Sequence, residues 1–127
     1  MRQTTLTSNY KWAAMGMALS FLFAGIALAH HGWGDYDAQQ TLTLTGKILE
    51  ASYENPHGSA RLQVGGDQGK IWLAILAPPA RMQARGLQRD ALKAGVTATI
   101  VGYPHRNQAE EMRAERITID GKTTELR

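Results

Sequence analysis

The 127-residue chain contains no cysteine. Disulfides, thiolate metal sites and cysteine nucleophiles are therefore excluded, and a transition-metal site would have to use nitrogen, oxygen or methionine sulfur. No run of like charge occurs either: the basic residues are scattered, from Lys47 and Arg61 to Arg113 and Arg116. The chain has no nucleophile motif, no acid pair at an informative spacing and no phosphate-cradling glycine loop. Gly65-Gly66-Asp67-Gln68-Gly69 joins two expected strands instead of opening a helix, and Glu110-Glu111 reads as solvated loop. Nothing argues for a substrate, so an enzyme is not the expectation. No internal repeat and no second domain are visible.

The segment that is present first is an export signal by pattern. Arg2 and Lys11 precede an apolar run from Ala13 to Ala29 that closes on Ala27-Leu28-Ala29, small residues at the two positions a signal peptidase reads. Cleavage before His30 is expected, giving a periplasmic protein with no stable membrane insertion; the run falls short of the ~20 residues of a spanning helix. Removing residues 1–29 takes away two of the fourteen Lys and Arg and none of the eleven acids, which leaves 98 residues with a net charge of +1. That length suits one small domain. That charge gives no case for nucleic acid or an anionic membrane as partner.

An irregular arm is expected over 30–40, with Trp33 and Tyr36 as packing anchors. The domain proper spans 41–122, followed by a polar tail, 123–127. The first strand runs from Thr41 to Tyr53. Its apolar positions change parity from Leu42, Leu44 and Ile48 to Leu49, Ala51 and Tyr53, which predicts a bulge near Leu49 with Gly46 easing the bend. A turn at Glu54-Asn55-Pro56-His57-Gly58 leads to strand two, with Ala60, Leu62 and Val64 on one face. Strand three, Lys70 to Ala77, is apolar on both faces and predicts a central strand. Pro78-Pro79 stops it, a short helix fits from Pro79 or Ala80 to Arg85 before Gly86, and Asp90 to Gly95 forms a further capped turn. Strands four (Val96 to Tyr103) and five (about Met112 to Ile119) flank a loop at Pro104–Gln108. Leu44, Ile48, Leu62, Leu73, Ile75 and Ile100 are the expected core. The fold class is all-β with one short helix, and the order β-β-β-α-β-β matches a five-stranded OB-fold-like barrel. An open meander covered by the helix is the alternative.

The motifs His30-His31-Gly32-Trp33 with Tyr36-Asp37, Thr45-Gly46-Lys47-Ile48, Asn55-Pro56-His57, Trp72, Arg85-Gly86, Leu92-Lys93-Ala94-Gly95, Val101-Gly102-Tyr103-Pro104 and Ile119-Asp120-Gly121 carry a resemblance over essentially the whole mature chain. The chain resembles a family of small exported bacterial proteins of unassigned function. The resemblance implies a periplasmic β-rich domain and no known activity. Leu73-Ala74-Ile75 follows Trp72 where the family pattern has an acidic residue, so no role resting on that carboxylate carries over.

All four histidines lie outside the expected strands and helix. His57 and His105 occupy the two loops that flank one ligand-binding face in OB-folds, and the arm carrying His30 and His31 is long enough to join them. Each alone is an ordinary solvated loop residue. Together, His30, His31, His57 and His105 are candidate metal ligands, because neutral imidazole is the commonest metal-binding side chain. A chain starting at His30 would offer an α-amine and a ring from one residue, a nitrogen set suited to Cu(II) or Ni(II), while three imidazoles in a tetrahedral set would suit Zn(II). Copper is the cofactor expected if the site takes a metal, and otherwise none is. The competing class is a binding module for an oligosaccharide or a peptide, built on Trp72, Tyr53 and Tyr103 with Arg61 and Arg106, and the third is a structural envelope protein that only contacts another protein.

Overall fold

The computed structural model describes residues 32–127. The expected leader, with His30 and His31, lies outside the described residues. Six strands surround one core: β1 (Leu42–Ser52), β2 (Ser59–Val64), β3 (Lys70–Ile75), β4 (Thr97–Pro104), β5 (Glu111–Ile119) and β6 (Lys122–Glu125). A helix, α1 (Pro79–Ala84), lies between β3 and β4, and short 3-10 turns occupy Trp33–Asp35 and Arg89–Ala91. The strand order is β3-β2-β1-β4-β5-β6. A short parallel pairing of β3 with β5, from Leu73↔Glu111 to Ile75↔Arg113, joins the ends of that order. It closes β1, β2, β3, β5 and β4 into a five-stranded barrel of the OB type; the open meander is excluded.

The closure depends on bending β1. Ile48 pairs with Leu62 and Glu50 with Arg61, so Leu49 is left as the extra residue of a bulge, where the apolar parity changes. The bulge lets one long strand serve two neighbours, β4 through Leu42–Lys47 and β2 through Gly46–Ser52. A Cβ at Gly46 would run into the Gln63 carbonyl, and one at Gly102 into that of Arg113. Both glycines therefore mark points of close strand approach, not mere flexibility.

The interior holds Ile48, Leu62, Leu76, Met82, Ile100, Met112, Ile117 and Leu126, all fully buried. Leu44 packs partly buried against them. Strand three corrects the expectation. Its inward residues are Trp72, Ala74 and Leu76, whereas Leu73 and Ile75 are only half-buried and Ile71 is 49% exposed. An apolar run on both faces predicted double burial, yet among the described residues no second layer covers the outside of this barrel wall.

Proline at the first position of α1 and Gly86 at φ +85 delimit the helix as expected. Its Met82 and the following Leu87 enter the core. The expected polar tail is instead β6: Ile117 pairs with Thr124, Thr124 is buried, and Leu126 completes the core. Arg81 donates to the Leu126 carbonyl (3.3 Å) and Arg85 to the backbone oxygens of Glu125 (2.9 Å) and Arg127 (2.6 Å), so α1 grips the end of the chain.

Candidate functional site

The chain enters the barrel through an arm that is pinned residue by residue. Tyr36 forms a bridge with His105, Asp37 N–H donates to the Pro104 carbonyl (2.9 Å), and Arg106 N–H to the Asp35 carbonyl (2.9 Å). The arm thereby continues the antiparallel β1–β4 ladder past the end of β4. The Arg106 guanidinium reaches the Gly34 carbonyl at 3.3 Å and the Asp37 carboxylate at 3.9 Å.

Side chains complete the attachment. Tyr36 is 2% exposed, and its hydroxyl donates to Glu111 at 2.7 Å. Burial, reinforced by that carboxylate, holds the phenol well above its ordinary pKa. Tyr103 donates to Glu115 at 2.8 Å, and that hydrogen bond raises its pKa too. Two guanidiniums approach the Trp33 ring, Arg113 at 4.9 Å and Arg127 at 4.8 Å from its centre, with Tyr103 edge-on at 6.0 Å. Arg113 is 4% exposed; burial lowers its pKa, and the charge of Arg81 lowers it further. Stacking on an aromatic face suits arginine because its planar cation is weakly hydrated.

Of the candidate metal ligands, His30 and His31 lie outside the described residues. His105 has a local task. Its Nδ1 accepts the N–H groups of both Asn107 and Gln108 at 3.0 Å, and its ring meets that of Tyr36 at 5.0 Å. A neutral ring that accepts at Nδ1 carries its proton on Nε2. Ligation through Nε2 would reverse that tautomer and remove the acceptor from both N–H groups. His57 is half-buried at the end of the loop before β2. No group of three or more His, Asp or Glu side chains is placed to hold a metal among the described residues.

The candidates for a binding face are also dispersed. Trp72 packs against the core. Tyr53 is buried, donates to the Leu87 carbonyl at 2.6 Å and carries Arg89 over its ring. Tyr103 belongs to the arm cluster, Arg106 to the arm latch, and Arg61 pairs with Glu50 at 3.3 Å. Sequence reasoning missed Glu111, Glu115, Arg113 and Arg127. The signal was there in β5, where Glu111, Arg113 and Glu115 alternate with buried Met112 and Ala114; Glu111, taken for solvated loop, is a strand residue facing Tyr36.

The molecule is thus a small closed OB-type barrel with an aromatic arm latched to one rim. A family described as "Family of unknown function (DUF6152)" matches residues 19–114, and the chain belongs to it. No curated protein matches the sequence. Among solved structures, a crystal structure of a complex of TiaS with a tRNA and ATP aligns with a TM-score of 0.47 and 19% identity. The alignment covers 72% of this chain and only 20% of that one.

Proposed function

We propose that this is an exported protein, cleaved before His30, that binds one Cu(II) at its new N-terminus through the amine and ring of His30 and the ring of His31. The observation that carries the reading is the arm. The chain is pinned from Trp33 onward, so a chain processed there ends in a stub three residues ahead of a fixed point, and that stub holds an amine and two imidazoles. One residue supplying two ligands loses less entropy than separate side chains gathered from loops. The commitment of His105 to its own loop favours a ligand set confined to the terminus.

Intact mass of the exported protein should show a chain starting at His30 in the soluble periplasmic fraction. Titration with Cu(II) should give one saturable site, weakening below about pH 6 as imidazole (about 6.5) and amine (about 7.7–8.0) retain their protons. One extra residue before His30, or His31→Ala, should weaken binding at least tenfold, whereas His105→Ala should leave it unchanged. Full-length chain in the membrane fraction, or affinity no better than that of a free histidine peptide, ends this reading.

A further inference from the structure

The described residues carry almost balanced charge, but the fold segregates it. Four cations meet carboxylates: Arg61 with Glu50, Lys70 with Glu110, Arg106 with Asp37, and Arg116 with Glu115 and Glu125. Of the remaining cations, five gather around α1 and the turn after it, and none of the five forms an ion pair with an aspartate or glutamate side chain among the described residues. Arg81, Arg85 and Arg89 are carried by that segment at a four-residue spacing. Lys122 donates to the Gly86 carbonyl at 3.0 Å, and the backbone oxygen of Arg127 accepts from Arg85. Arg81, Arg89 and Lys122 are each held by a peptide carbonyl instead of an acid, which orients them without neutralising them. Arg85 is held by the Glu125 carbonyl and by an α-carboxylate oxygen of the last residue, Arg127. All five residues are exposed. Three acids adjoin this face: Asp90, on the same segment; Asp120, which shares with Lys122 the lining of a shallow groove between that segment and β6; and Glu125, whose backbone oxygen accepts from Arg85 while its carboxylate pairs with Arg116. Half-buried Trp33, stacked under Arg127, sits at its rim.

We infer that this face, Arg81, Arg85, Arg89, Lys122 and Arg127 with Trp33 at its edge, is a docking surface for an anionic phospholipid bilayer. Phosphodiester headgroups are a sheet of monoanions that needs no pocket, and arginine binds phosphate oxygens through paired N–H groups. A tryptophan beside arginines is the composition of a protein that rests at a membrane interface. Among the described residues no helix is long and apolar enough to cross a membrane, so the contact is peripheral and salt-sensitive. The inference stands apart from the copper reading and uses none of the histidines.

Sedimentation of the metal-free exported protein with vesicles tests it. Binding is expected to phosphatidylcholine vesicles containing about one third phosphatidylglycerol and not to phosphatidylcholine alone, and to be lost on going from about 50 to about 500 mM salt. Removing two charges with R89Q and R127Q should lower partitioning about 25-fold, at about fivefold per cation. The charge-matched pair K47Q and R61Q, away from this face, should change it less than threefold. R89K with R127K should keep most of the binding, and this pair reads the charge should the Gln pair fold poorly. Absence of phosphatidylglycerol-dependent binding by the unaltered protein overturns the inference. So does an equal loss in the K47Q and R61Q pair, or binding to a soluble polyanion such as polyglutamate without binding to vesicles.

Discussion

Tyr36 concentrates the chemistry of the arm in one hydroxyl. It is buried, and it donates to an acid 75 positions away, Glu111. Because its folded pKa is raised above the ordinary value of 10.0, the folded state holds the phenol proton more tightly than the unfolded chain. The associated stability is complete below pH 10 and is lost as pH climbs above it. Urea unfolding should show a decline above pH 10 that is reduced in Tyr36→Phe, and at neutral pH that variant should cost about 1.5–3 kcal/mol, the range for a hydrogen bond to a charged group. A stability curve in Tyr36→Phe identical to that of the parent would show that the bond contributes nothing. At this scale the sequence was partly readable. Trp33 and Tyr36 stand out as anchors in an irregular stretch, but their partners Glu111, Arg113 and Arg127 are far along the chain, and no local pattern links them. His105 was conspicuous for its metal-binding chemistry, while its part as a loop acceptor depends on two N–H groups whose direction only the folded turn sets.

Among the elements, β1 was the most legible. A change of apolar parity within one strand has few physical causes, and the bulge at Leu49 is the one found. Strand β3 was the least legible, because Ile71, Leu73 and Ile75 are as apolar as the residues that face inward. The inward set, with Ala74 and Leu76 fully buried, is decided by pairing with β2 and by closure onto β5, neither of which is encoded in hydrophobicity alone. The assignment is testable by truncation. Leu76→Ala should cost about 2–5 kcal/mol, and Leu73→Ala about 1 kcal/mol or less; equal losses by thermal or urea unfolding would reverse the orientation of the strand. Strand β6 escaped notice because Lys122-Thr123-Thr124-Glu125 is polar. It is a strand by virtue of the β5 edge beside it and of Leu126, which anchors its end.

For the whole molecule, the OB-type class followed from element order, since a helix between the third and fourth of five strands is a distinctive sequence of parts. Charge segregation did not follow, because net charge is blind to which cations find acids. The ends of the described chain are the second global feature that no stretch of sequence announces. A chain shortened after Asp120 removes β6, Leu126 and the backbone oxygens held by Arg81 and Arg85. It should lose at least about 3 kcal/mol, the scale of one emptied leucine site. Measured by unfolding, a loss under about 1 kcal/mol would demote β6 to an ornament.

The contact of Trp33 with Arg127 has one more consequence. The second described residue and the last one touch through a ring and a guanidinium 4.8 Å apart, so the two ends of the described chain lie on the same side of the barrel, within the reach of two side chains. A domain of that form can be spliced into a surface loop of a host protein with linkers that bridge the span of those two side chains.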